Sequence, residues 1–442
     1  MTPAIRRLGL TAAILLAAGE GPLAADPGSF KTSVAAVLVD NCIACHGAKK
    51  AAGGYRLDTF AQLRIAGDSG EEPIVPGATP GGELLRRISA DDADERMPPD
   101  APPLSPEAVQ AVRDWLAAGG AFDGAEPTDP LWLVTPPRTV PSPTTYSFPT
   151  PATALAFSPD GSRLFVGGYH ELLVFDAAEG KLVGRIGNVG QRVLAMRFLA
   201  DGRTVAVAGG EPGRDGDVRL VDVENGALKA VLARSNDVVF DVAPRPNSDE
   251  LAVAAADGVV RVVDASSGAV VRAISSHGDW VTAVAWSDDG ARLASASRDK
   301  SVKIYDAATG ELLANFGDHA APARGVVFTA DGTEALSTGD DRNLRRWSIE
   351  TGKQTAAVEL AGEAFRPVRD GDTAFVPAAG QPVRVVDIAQ GVVAGAIDAG
   401  GAAVAVAVHP ATGRIATGSL EGEVRLVHRT DGQLVRAWPA RP

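Results

Sequence analysis

The chain has 442 residues and a mass of 45.4 kDa, room for about three domains at roughly 150 residues each. Lys and Arg total 42 and Asp and Glu total 55, so the net charge is −13. That balance argues against a clustered cationic surface of the kind that binds phosphate backbones or anionic lipid. Apolar residues at 45% can bury a full core, while 49 Gly and 30 Pro favour turns and short strands over long helices. The only two cysteines stand three residues apart, which excludes a multi-disulfide scaffold and a four-cysteine zinc site.

The first residues read as an address. Arg6 and Arg7 precede an uncharged apolar run, Leu8 to Ala18, followed by small residues at Leu23-Ala24-Ala25. This is the layout of a secretory signal peptide over 1–25, with the mature chain starting near Asp26. The apolar run is too short to span a bilayer as a helix. The residues around the twin arginines match a Tat signal poorly, so Sec export is the expectation. No cysteine follows to carry a lipid, and no later stretch is apolar enough to anchor the chain. A periplasmic or otherwise exported protein is expected.

Residues 42–46 read Cys-Ile-Ala-Cys-His, the C-x-x-C-H spacing of covalent haem attachment. Two thiols one helical turn apart reach the two vinyl groups of one porphyrin. The adjoining imidazole is then held under the iron. Val34, Val37 and Leu38 recur at helical spacing upstream, placing the motif on or just after a helix. A redox pair of Cys42 and Cys45 would need a βαβ context that this segment lacks. Zinc would need a further ligand, and no cysteine is left to supply one. One covalent haem c is therefore expected, held by Cys42, Cys45 and His46.

The second axial ligand follows by elimination. Of the three methionines, Met1 leaves with the signal and Met196 lies in a distant strand-like run, Val193 to Phe198. Met97 remains, in Asp94-Glu95-Arg96-Met97-Pro98-Pro99, where the prolines stiffen the loop that presents it. No histidine other than His46 falls between 26 and 169, so a bis-histidine site within this segment is excluded. A His46/Met97 pair suits electron transfer over oxygen chemistry. The acidic run Asp91, Asp92, Asp94, Glu95 reads as a solvated turn. Ser105-Pro106-Glu107 reads as an N-cap opening a helix that carries Trp115.

Several short motifs follow one another across this segment: Gly53-Gly54-Tyr55-Arg56-Leu57-Asp58, Ile74-Val75-Pro76-Gly77, Leu84-Leu85-Arg86-Arg87-Ile88, Arg96-Met97-Pro98-Pro99 and Val112-Arg113-Asp114-Trp115-Leu116. In this order, beside C-x-x-C-H, residues 30–123 resemble the planctomycete-type cytochrome c domain. The resemblance implies a small all-α haem domain in which His46 and Met97 are the iron ligands, in agreement with the elimination.

Eight prolines between Pro127 and Pro151 predict an extended, semi-rigid connector over 126–150. Beyond it a unit repeats: an alternating apolar strand, an Asp-Gly type turn, two further strands and a Gly-containing turn. Taking the residue that closes the third strand as marker gives Asp176, Asp222, Asp264, Asp306, Ser348, Asp387 and His428. Their spacing near 42 residues, with four strands per unit, is the signature of propeller blades and closes a ring of seven. The units resemble the WD-repeat family. His277, Ser295, Asp299 and Tyr305 fall on that family's structural tetrad, and His319, Ser337, Asp341 and Trp347 do so one unit later. Ring closure is open at this point: each blade is complete in itself, or Leu131 to Val134 or Thr144 to Phe148 adds a strand to an end blade.

The expected architecture is thus multidomain: signal peptide 1–25, an all-α c-type cytochrome domain 26–125, a linker 126–150, and an all-β seven-bladed WD-repeat propeller 151–442. The leading functional expectation is an exported mono-haem electron-transfer protein, more an electron carrier than an enzyme. No catalytic residue is assigned. The propeller would dock a redox partner protein, and an acidic chain suits a partner of basic surface. Two alternatives stand beside it, a haem–propeller oxidoreductase with a second site in the propeller, and a scaffold or sensor with a structural haem. The known cytochrome–propeller enzymes use eight-bladed rings of other repeat types, and a quinone-bearing one commonly shows a vicinal cysteine pair that this chain lacks.

Overall fold

A computed structural model describes residues 28–48, 50–77 and 81–442; the expected signal peptide lies outside the described residues. The chain divides into two compact units between Pro136 and Pro137. Among the described residues no helix is long and apolar enough to cross a membrane.

The first unit is helical. A π-helical turn, Phe30–Val34, runs into α1, Ala35–Asn41; then come α2 (Phe60–Leu63), α3 (Glu83–Ile88), α4 (Pro106–Ala117) and α5 (Leu131–Val134). Polar side chains start three of these segments by accepting orphan backbone N–H groups. Ser29 caps the first turn through Thr32 N–H, Thr59 caps α2, and Ser105 caps α4 with Pro106 in the first helical position. The core gathers Phe30, Leu38, Leu63, Trp115 and Leu131. Phe30 meets Phe60 edge-on at 4.9 Å, and the fully buried Trp115 donates its indole N–H to the Ala121 carbonyl at 2.8 Å.

The second unit is seven four-stranded antiparallel sheets, each ordered as its strands occur in the chain. The blades span Leu155–Ile186 (β1–β4), Arg192–Ser235 (β5–β8), Val239–Ile274 (β9–β12), Val281–Phe316 (β13–β16), Ala323–Glu359 (β17–β20), Val368–Ile397 (β21–β24) and Ala403–Pro439 (β25–β28). Neither 131–134 nor 144–148 contributes a strand. The ring closes by packing: Leu164 and Phe175 of the first blade share a core with Ala416, Leu426 and Trp438 of the last. The Ala152 N–H donates to the Ser419 carbonyl at 3.0 Å across that seam.

Both complete tetrads form. In the fifth blade Trp347 N–H donates to Ser337 Oγ at 2.7 Å, His319 Nε2 lies 2.7 Å from the same oxygen, and His319 Nδ1 lies 3.0 Å from Asp341. Asp341 accepts, so Nδ1 carries the proton and Nε2 accepts from Ser337. His277 repeats this with Ser295 at 2.7 Å and Asp299 at 2.9 Å. These histidines are scaffold.

The proline-rich segment departs from an extended connector. Its first part belongs to the helical unit: Leu131 and Val134 of α5 are buried there, and Leu131 N–H donates to Asp58 O at 2.9 Å. Its second part straps the propeller. Arg219 donates to Arg138 O at 2.8 Å, Ser142 to His170 O at 3.2 Å, and Tyr146 to Glu171 at 2.7 Å. Proline blocks ladder pairing of its own nitrogen, but it leaves carbonyls free to accept from arginines such as Arg185, which bonds Pro143 O.

Candidate functional site

α1 stops at Asn41, and the chain turns so that Cys42 and His46 face one region, with Cys45 beside them. Cys42 N–H closes the helix on Leu38 O at 2.9 Å, while Cys45 and His46 N–H both return to Cys42 O at 3.1 and 3.0 Å. The imidazole is oriented from behind. His46 Nδ1 lies 3.2 Å from the Tyr55 carbonyl, which can only accept, so Nδ1 carries the proton and Nε2 keeps its lone pair. Tyr55 is itself fixed by donating its hydroxyl to Leu63 O at 2.9 Å, and its ring meets the imidazole edge-on at 5.6 Å.

Close backbone approach builds the wall beside Tyr55. Asp68 N–H donates to Gly53 O at 2.8 Å. A Cβ at Gly67 would lie 2.5 Å from that carbonyl, so only glycine fits there. The opposite wall comes from α3, where Leu84 and Ile88 stand one turn apart on one face. Met97 N–H donates to Arg87 O at 3.0 Å, tying the methionine loop to that helix. The acidic turn before it caps itself: Asp92 accepts from Asp94 N–H at 3.0 Å.

Cys42, His46 and Met97 line one half-open cleft together with Tyr55, Leu84 and Ile88. Cys45 stands beside Cys42 but is not among the residues facing that space. The two thiols are not joined to each other, and Lys50 Nζ lies 3.7 Å from Cys45 Sγ. Burial, with a smaller contribution from neighbouring Cys45, pushes the Cys42 thiol up to about 12. Its thiol is thus neutral. At the rim Glu83 accepts from Arg86 and Arg87 at 2.6 and 2.7 Å, and these bonds, the Arg86 bond first, hold its carboxyl down to about 2.

The donor set identifies what the cleft suits. An imidazole and a thioether converge on a largely apolar space with a thiol at its edge, and among the described residues no group of three carboxylate, imidazole or thiol side chains could hold a metal ion. These residues fit a haem. The sequence places Cys42, Cys45, His46 and Met97 on a common cofactor; the structure brings Cys42, His46 and Met97 to one cleft and leaves Cys45 off its lining. The sequence did not assign Tyr55, Leu84, Arg87 or Ile88 to the site. The four-residue spacing of Leu84 and Ile88 was the available signal.

The chain therefore joins a small helical cytochrome c-like domain to a seven-bladed all-β propeller. Residues 42–101 match the family model for planctomycete cytochrome C. In the propeller, residues 268–306 match the WD domain, G-beta repeat, and residues 130–285 match the model described as outer membrane protein assembly factor BamB. The matched WD unit takes β12 from the third blade and β13–β15 from the fourth, so the sequence repeat is offset by one strand from the folded blade. No curated protein matches the chain significantly.

Proposed function

We propose that the chain is an exported mono-haem c-type cytochrome that carries electrons, with the propeller as docking module for a protein partner. The observation that carries the reading is the convergence of Cys42, His46 and Met97 on one apolar cleft. Cys42 and Cys45 would hold the haem covalently, and His46 Nε2 and Met97 Sδ would ligate its iron. Bound there, the group supplies a one-electron couple of raised potential.

The remaining work belongs to the chain. The Tyr55 carbonyl holds the proton on His46 Nδ1 and fixes the ring, which raises the basicity of Nε2. The Arg87 carbonyl holds the loop that presents Met97. Leu57, Leu84 and Ile88 exclude water from the cleft, lowering the local dielectric. The acidic chain suits a partner of basic surface.

The test is expression in a host that exports and matures c-type cytochromes, followed by covalent haem quantification and fractionation. One acid-stable haem per chain in the periplasmic fraction is expected. Full covalent haem in a Cys42→Ala/Cys45→Ala variant would overturn the reading.

A further inference from the structure

The inner strands of all seven blades line a cavity of about 1400 Å³ along the propeller axis. Its charged side chains do not balance. Arg197 on β5, Arg366 just before β21 and Arg369 on β21 line it, with Asp288 from the fourth blade. Asp241 of β9 lies fully buried against them. Arg369 is neutralised by Asp288, its Nη2 standing 2.5 Å from both carboxylate oxygens.

The other two arginines share one carboxylate. Arg366 crosses the channel, donating to Asp241 at 2.5 Å and to the Leu194 and Phe240 carbonyls of the second and third blades at 3.1 and 3.2 Å. Arg197 comes within 4.0 Å of the same Asp241 oxygen. Asp241 is further committed to the N–H groups of Val242 and Val284, at 3.0 and 3.2 Å. One positive charge is left over in the cavity of a chain whose net charge is −13. Among the described residues the Arg366 Nε–H is buried without an acceptor, and a buried unpaired donor calls for a missing partner. Burial and the neighbouring Arg197 both work against the Arg366 charge, the first more strongly, so a second anion would relieve what Asp241 alone leaves uncompensated.

We propose that the propeller channel is a carboxylate-binding site, with Arg197 and Arg366 as its cationic groups. A monoanion matches the single surplus charge, and two coplanar oxygens match the guanidinium fork. The carboxylate comes either from a small organic acid or from an acidic side chain of a partner inserted along the axis. This goes beyond the haem reading and involves none of its residues.

The full-length protein is titrated by calorimetry at constant ionic strength with acetate, with the end-blocked peptide acetyl-Gly-Gly-Glu-Gly-Gly-amide, and with its Gln counterpart. Saturable one-to-one binding of acetate assigns a small acid. Binding of the Glu peptide, but of neither the Gln peptide nor acetate, assigns a side chain. Arg197→Gln removes the surplus charge and keeps the Arg366–Asp241 pair, so the fold survives and affinity falls at least tenfold. Arg366→Lys, checked by circular dichroism, also weakens binding while keeping one charge opposite Asp241. Saturation by neither acidic probe, equal binding of the Gln peptide, or unchanged affinity in Arg197→Gln overturns the proposal.

Discussion

Met97 follows by elimination, since beyond the expected signal peptide the helical domain offers no other thioether. The structure adds the reason the residue is presented: its own N–H is bound to α3 through Arg87 O. Met97→Ala should leave covalent haem content unchanged, because the thioethers are untouched. It should abolish the methionine–iron charge-transfer band, admit carbon monoxide, and lower the potential by on the order of 0.1 V, within the ~0.8 V that axial ligands span. Carbon monoxide binding by the reduced unaltered protein would show the sixth position already open. The histidines His277 and His319 make a different prediction. Burial first of all lowers both below the ordinary histidine value, so the folded state holds off a proton that the unfolded chain binds below about pH 6.5. The unfolded state then binds more protons, and this contribution to stability, complete above that pH, is lost as pH falls towards the depressed folded values. Imidazole resonances of both residues should remain in the neutral position at pH 6, and titration at the ordinary value would refute the assignment.

Among the elements, the blades differ in how they hold their strands. Ser337 serves His319 and Trp347 at once in the fifth blade. Ser337→Ala strands a buried indole N–H and should destabilise the propeller by roughly 1–3 kcal/mol in chemical denaturation. The seventh blade has Thr417 at the equivalent place, with a buried hydroxyl that has no partner among the described residues. Thr417→Val should be neutral within about 1 kcal/mol or stabilising, since it removes an unsatisfied group. If both substitutions cost the same, the tetrad carries no special weight in this ring. Those tetrads were readable because their members repeat at the blade period. The short helix α5 was not. Proline density argues against helix as a local rule, yet the four residues Leu131–Val134 turn helical because Leu131 and Val134 bury against the core around Phe30 and Trp115.

For the molecule as a whole, the prolines that looked like a spacer are shared between two bodies, and that changes where a fragment should begin. Residues 137–442 carry the strap and should unfold cooperatively when expressed alone. Residues 152–442 lose Tyr146, whose hydroxyl bonds Glu171, a fully buried carboxylate that also pairs with Arg185. That shorter fragment should have a lower thermal midpoint, and an equal midpoint would show the strap to be passive. The C-x-x-C-H motif, the one methionine left to the helical domain and the seven-fold repeat were legible in the sequence itself, because each is a spacing or a count along the chain: five adjoining residues, a methionine found by elimination, a strand unit near 42 residues. Tertiary structure alone decided that the ring closes by packing Phe175 against Trp438 without a borrowed strand. It alone set Tyr55 O behind His46, and it alone brought Arg366 across the channel to an aspartate 125 residues earlier. Such contacts join positions with no fixed offset in the chain. They exist only once the folded backbone has placed both groups, and no periodicity encodes them.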